Sequence, residues 1–401
     1  MILLEKIGLK LKLIDRCRQL ALYVFIALLG YEYWNKLSIF GGMTMPKLAG
    51  LLYFSLAMLT PKKMLAINKK DAILFGLLLV LWGWLAFASL MTYILYNSEL
   101  TLQLSFLQLI ILFWLVINEI RNDFAVERNI KIAFIVGVFF IFILINMGVG
   151  LQSSRESEVV DDIENVTRIW FMGLNPNSLG NLAALAFILS LTFIEDLRNK
   201  FTFLLIFPML AFLNLVMFSG SAGALLLLSI GCILFFMANK PSGYKLIIYY
   251  SVAAITAVFL ISFFSSSEYL INKLSAFFLA GETSGRTEIW METINLTAKN
   301  PILGVGHTYI TAHNVFLDMF KWGGVVALFF FLFFLALTTK TALSSFFYSK
   351  NSLPIILVVS VSFILLKSGG GLNLKYVWVV LALAVASSHK PIKYEKDYIS
   401  R

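Results

Sequence analysis

The sequence predicts an all-α, polytopic integral membrane protein with about twelve transmembrane helices and two longer loops on one side. Three observations carry this. Of 401 residues, 60% are hydrophobic and only 13% charged, whereas soluble domains carry about a quarter charged residues. The mean hydropathy is +0.86. Apolar runs of spanning length recur from one end of the chain to the other, and so much apolar surface cannot be hidden in one or two water-soluble cores. A cytosolic enzyme, a disulfide-stapled secreted domain and a disordered chain are excluded.

The expected elements follow in order. Ile2 to Leu13 places Lys6, Lys10 and Lys12 among aliphatic residues, the pattern of a basic interfacial helix. No small-residue cleavage pattern follows the first apolar run, so a cleaved signal peptide is not expected. Spans are expected near Leu20 to Ile39, Pro46 to Leu59, Asp71 to Tyr96, Leu102 to Asn118, Asn129 to Gly148, Asn177 to Ile194 and Phe201 to Phe218. Further spans are expected near Ala222 to Met237, Lys245 to Phe264, Asn314 to Leu337, Leu353 to Leu366 and Asn373 to Ser388. The chain 1–401 reads as a single membrane domain, with long loops at 152–176 and 265–312.

Orientation follows from the basic residues, which cytoplasmic loops retain. The N-terminus, the even-numbered loops with the span ends that adjoin them, and the tail hold 22 of the 32 Lys and Arg. Nine lie on the opposite side, among them Arg155, Arg168, Lys273, Arg286 and Lys299, and Lys321 lies inside a span. Both termini are expected in the cytoplasm and both long loops outside it. The net charge of +10 is then a topology signal, and a nucleic-acid partner is not expected. Cys17 and Cys232 are the only cysteines, one at the cytoplasmic edge and one in a span, which supports neither a disulfide nor a metal site.

The two long loops are where chemistry is expected. The first sets Arg155 and Arg168 against Glu156, Glu158, Asp161, Asp162 and Glu164. In the second, Thr283-Ser284-Gly285-Arg286 can start a helix with Ser284 as its cap, and Asn300-Pro301 must end it. Within that helix Ile289, Trp290, Thr293, Ile294 and Thr297 recur on one face. Arg286 sits in the first turn, where the helix dipole disfavours a cation. Two readings stand: an anion bridges guanidinium and helix N-terminus, or the arginine pairs with Glu282 or with lipid headgroups. His307 and His313 share this loop, and His389 is in the tail. His313 immediately precedes a span, as a structural imidazole or as a base titrating near neutrality. Asn314 can cap that span. Asp318 and Lys321 lie within reach of each other and can make charge tolerable in lipid.

These residues resemble the bacterial O-antigen polymerase and O-antigen ligase superfamily. The resemblance rests on Ser284-Gly285-Arg286, Ile289-Trp290, Asn300-Pro301-Ile302-Leu303-Gly304-Val305-Gly306, His313-Asn314, Phe316-Leu317 and Gly323-Gly324 in that order. Arg168, Gly173 and Asn175-Pro176-Asn177 form a second matching segment. The resemblance implies a GT-C-like, all-helical membrane glycosyltransferase without metal or cofactor. Its reaction moves a glycan from undecaprenyl pyrophosphate to a sugar hydroxyl at the periplasmic face of the inner membrane. The acceptor is a second lipid-linked glycan in a polymerase and lipid A core in a ligase, and a chain-length regulator is a further implied partner. Arg286 and His313 would be catalytic, with Arg168, Asn175, Asn177, Asn314 and His307 binding substrate. One departure is visible: where members often carry Ser-Arg-Gly, this chain has Ser221-Ala222-Gly223, which favours the polymerase or implies that another cation substitutes. A transporter or flippase would concentrate ionisable groups near mid-membrane, whereas here the span centres are nearly free of charge. A purely structural partner is the remaining alternative.

Overall fold

The computed structural model describes residues 2–33, 43–64, 68–96, 99–153, 169–196, 204–239, 244–266, 286–306, 312–367 and 371–388. The chain packs as two compact units, each assembled from two stretches. One comprises Met1–Leu65 with Asn122–Ser275, the other Ala66–Arg121 with Ala276–Arg401.

The first unit contains α1 (Ile2–Ala27), α2 (Met45–Met58) and the single turn α3 (Pro61–Met64). The chain leaves for the other unit through α4 and α5, described below, and returns as α6 (Ala125–Asn146). There follow the strands β1 (Leu151–Ser153) and β2 (Ile169–Phe171), then α7 (Pro176–Asp196), α8 (Ile206–Ser219), α9 (Ala222–Ala238) and α10 (Tyr244–Ser266). α7 is the axis of this unit: 94% of its spanning window is buried, against α6, α8 and α9. A helix apolar on all sides belongs inside a bundle, and the Ala- and Leu-rich sequence of α7 is of that kind. Two glycines permit close helix crossings. A Cβ at Gly137 would come within 2.2 Å of the Ala27 carbonyl oxygen, and one at Gly180 within 2.5 Å of Ser219 Oγ.

Charge inside this unit is paired. Arg18, fully buried, donates to Asp15 at 2.8 Å and to Thr60. Lys131 and Glu127, one helical turn apart, stand 3.6 Å apart in a buried pair.

The second unit contains α4 (Lys69–Tyr96), α5 (Leu104–Asn122), α11 (Arg286–Ala298), α12 (Val315–Ser349), α13 (Leu353–Lys367) and α14 (Lys375–Ser387). Its core gathers on Trp378 of α14, whose ring meets Phe106, Phe113 and Phe334 at centroid distances of 5.5, 6.0 and 6.4 Å. The indole Nε1 of Trp378 donates to the Leu372 carbonyl at 2.7 Å, so the ring is buried without an orphaned donor. Arg121 donates to Asp71 at 2.9 Å, tying α5 to α4.

Among the described residues five helices, α4, α5, α6, α7 and α12, are long and apolar enough to cross a membrane, and six apolar helices are shorter. At 1.5 Å per residue a span needs about 20 residues. Eleven of the twelve expected segments coincide with a described helix. The first differs. The basic segment and the start of the expected span form one continuous helix that stops at Ala27, followed by a 3-10 turn at Leu29–Tyr31. The stop falls where α1 presses its backbone against Gly137 and where a Cβ on Gly30 would collide with Ile141. The two short strands were not expected either. They pair antiparallel, Leu151 with Phe171 and Ser153 with Ile169, at the two ends of the first long loop.

The main irregularity is in α12. At Gly323 (φ −146°, ψ 22°) and Gly324 (φ 66°, ψ −164°) the backbone leaves the helix and re-enters at Val325. Inside an apolar medium each broken backbone bond must be replaced. Here Val325 N–H donates to the Pro301 carbonyl and Val305 N–H donates to the Lys321 carbonyl, both at 2.8 Å. Trp84 Nε1 of α4 donates to the Gly323 carbonyl at 2.7 Å. The segment 301–306 thus fills the gap in α12, and only glycine fits where the chains meet. A Cβ at Gly304 would lie 2.3 Å from the Lys321 oxygen, and one at Gly324 would lie 2.1 Å from the Ile302 oxygen. Gly324→Ala is therefore expected to destabilise the protein by about 2 kcal/mol or more. Gly76→Ala, where the added methyl meets open space, is expected to be neutral or slightly stabilising. Thermal unfolding of the two variants in detergent checks this.

Candidate functional site

In the second unit, α11 lies on α12 with Thr293 and Thr297 buried and Ile289 and Trp290 partly covered. The expected apolar face is therefore this one, except that Ile294 turns outward, 39% exposed. Both threonine hydroxyls donate back to the helix, Thr293 to the Ile289 carbonyl at 2.7 Å and Thr297 to the Thr293 carbonyl at 2.8 Å. Buried threonines of this kind need no other partner. Asn300-Pro301 ends the helix as expected, and the following residues enter the α12 break.

Arg286 is the first residue of α11 and is half-buried. The expected cap Ser284 and the alternative partner Glu282 lie outside the described residues, as do Arg168, His307 and His389. His313 stands just before α12 with its backbone in the left-handed region at φ 51°. Its imidazole is partly desolvated, and this, together with the positive charge of Arg286, holds its pKa below the usual 6.5, while Asp318 acts in the opposite direction. The fold thus places Arg286 and His313, 27 positions apart in sequence, in one unit and within range of each other's charge. A histidine held neutral near pH 7 is suited to accept a proton.

The backbone around His313 is held from several directions. Asn314 caps α12: its Oδ1 accepts from the N–H groups of Phe316 at 2.9 Å and Leu317 at 3.3 Å. Ala312, fully buried, receives Trp290 Nε1–H on its carbonyl at 2.8 Å. The Ala312 N–H donates to Asp318 Oδ1 at 3.2 Å. Asp318 and Lys321, both buried, stand 3.6 Å apart, the pair that their spacing suggests. The sequence gives no local sign of the contacts Trp290 and Asp318 make with Ala312, because they are contacts to backbone.

In the first unit, Asn175 of the second matching segment is also a cap, and Asn177 bonds to the cap of another helix. Asn175 Oδ1 accepts the Ser178 N–H at 2.8 Å, with Pro176 in the first turn of α7 where a missing N–H costs nothing. Asn177 Oδ1 accepts from Ser221 Oγ at 2.9 Å, and Ser221 Oγ accepts the Ala224 N–H at 3.3 Å as the cap of α9. The N-terminal ends of α7 and α9 are thereby joined through one side-chain bond, and Ala222, where the related pattern carries arginine, is the first residue of α9. Asn175, Asn177 and Asn314, expected to bind substrate, thus each have the amide oxygen committed to helix starts.

Fold and site together define a multi-pass helical membrane protein with an arginine at the start of one helix and a histidine just before another, each within range of the other's charge. Residues 204–332 match the family described as O-antigen ligase, and the chain is similar to the O-antigen ligase and polymerase superfamily. The matched stretch runs from the start of α8 through the α12 break, and so includes Arg286, His313 and the segment 301–306. No curated protein matches the chain.

The electrostatics predict a titration. His313 is expected to titrate below 6.5, and Arg286→Gln, by removing a cation that disfavours imidazolium, is expected to move the midpoint upward. Histidine-selective NMR against pH reads both; a midpoint unmoved in Arg286→Gln contradicts that influence of the guanidinium.

Proposed function

We propose that the protein is a periplasm-facing glycosyltransferase of the inner membrane that moves a glycan from undecaprenyl pyrophosphate to a sugar hydroxyl, acting as an O-antigen polymerase. The observation that carries this reading is that Arg286 and His313 lie within electrostatic range of each other inside the stretch that matches the O-antigen ligase family.

The chemistry suits these residues. The acceptor hydroxyl oxygen attacks the anomeric carbon, the bond from that carbon to the pyrophosphate oxygen breaks, and the hydroxyl proton passes to the His313 imidazole. Pyrophosphate leaves readily once its charge is compensated, and a guanidinium at a helix N-terminus supplies two kinds of donor to it. A positioned base contributes about 10²- to 10⁴-fold. A single displacement of this kind inverts the anomeric configuration. Placing the site outside the cytoplasm, with both termini inside, is supported by the asymmetry of the basic residues.

The acceptor separates polymerase from ligase. Ala222 in place of an arginine favours the polymerase, with a second lipid-linked glycan as acceptor. The description of the matching family favours a ligase, with lipid A core as acceptor. In a deletion strain, single repeat units still attached to core are expected for a polymerase, whereas core with no polysaccharide at all identifies a ligase. Arg286→Ala and His313→Ala, restored to that strain at normal membrane levels, are each expected to lose transfer by 100-fold or more, to order of magnitude. Wild-type glycan from both variants contradicts the reading.

A further inference from the structure

His313 occupies an unfavourable backbone conformation, since a non-glycine residue in the left-handed region costs about 1 kcal/mol or more. Such a residue persists only when its neighbours over-determine it. The Ala312 residue that precedes it is bonded through both of its backbone polar groups, its carbonyl by Trp290 of α11 and its N–H by Asp318 of α12. On the other side Asn314 is fixed as the cap of α12. Asp318 Oδ1 faces Lys321 Nζ at 3.6 Å and also accepts from the Ala312 backbone N–H at 3.2 Å.

We propose that Trp290 and Asp318 are positioning residues for His313: by gripping the Ala312 peptide groups from two helices they fix where the imidazole meets the acceptor hydroxyl. This inference rests on the assignment of His313 as the base. Trp290 is supplied by the same helix that begins with Arg286, so the grip also sets the base relative to the arginine. A displacement of about 1 Å at such a group can cost 100-fold in rate. Asp318 adds a second effect. Among the described residues the charged groups acting on the imidazole are Arg286 from α11 and Asp318 from α12; Lys321 is directed to Asp318, and Glu288 and Glu292 of α11 are exposed to solvent. As the proton arrives, the carboxylate offsets the cation, so the base can accept it beside a guanidinium.

The test uses the full-length protein in proteoliposomes with a polyprenyl-pyrophosphate-linked glycan as donor. Trp290→Phe keeps an aromatic ring and deletes the donor together with part of the indole, and the folded fraction reports any cost of the lost volume. It is expected to lower kcat about tenfold, with KM for the donor within about twofold and the folded fraction unchanged. The double variant Asp318→Asn/Lys321→Met keeps an oxygen for the Ala312 N–H and leaves no buried lysine unpaired. It is expected to retain transfer with the acid limb of its kcat profile moved to lower pH, because the carboxylate that favours imidazolium is gone. Wild-type kcat in Trp290→Phe, or a loss of rate matched by loss of folded protein, overturns the positioning role while His313→Ala stays inactive, and an unmoved acid limb in the double variant overturns the charge effect of Asp318. Full transfer by His313→Ala overturns the assignment of the base, and the positioning role with it.

Discussion

The second unit depends on one repaired defect. An α-helix in an apolar medium must satisfy every backbone group internally, yet α12 breaks at Gly323-Gly324. An unpaired backbone group in such a medium costs several kcal/mol, so the break exists only because other segments complete it. The peptide segment 301–306 supplies a donor and an acceptor, and Trp84 supplies a second donor. Because that segment directly follows α11, the repair fixes where α11 ends. Trp290 and Asp318 then fasten the start of α12 to α11 through Ala312. Arg286 and His313 are held by the same set of contacts, so the geometry of the site is a consequence of how a broken helix is satisfied.

This changes the meaning of the motif residues. Asn300-Pro301 through Gly306 and Gly323-Gly324 resemble a family signature, and in the fold they are partners in a backbone junction, with glycine required by clearances of 2.1 to 2.3 Å. Asn175 and Asn314 cap helices, and Asn177 bonds to Ser221, the cap of α9. Among the described residues the candidate site combines a guanidinium at a helix start with an imidazole whose basicity Arg286 and Asp318 adjust in opposite directions.

Much of this was legible in the sequence. Apolar runs locate most of the helices to within about five residues, because length and hydropathy dominate in a membrane protein, whereas α12 runs on to Ser349, past the expected end at Leu337. Asn314 as a cap, Asn300-Pro301 as a stop and the Asp318–Lys321 pair are all local in sequence, and local spacing suffices to find them. The end of α1 at Ala27 was not legible, since it reflects a contact with Gly137 of α6, 110 positions away. Nor was the bond from Trp84 to Gly323, which links residues 239 apart, nor the α12 break, because Gly-Gly inside an apolar run signals weakness in a helix without saying what will fill it. The role of Ala312 leaves no trace in composition: any residue has the two backbone groups it uses.

The most direct measurement is turnover by the purified protein alone in liposomes, supplied with polyprenyl-pyrophosphate-linked repeat units. The account predicts glycan chains longer than one unit, with one undecaprenyl pyrophosphate freed for each new glycosidic bond and the new bond inverted at the anomeric carbon. Donor that is neither consumed nor extended, or that is only moved intact from one leaflet to the other, would contradict it.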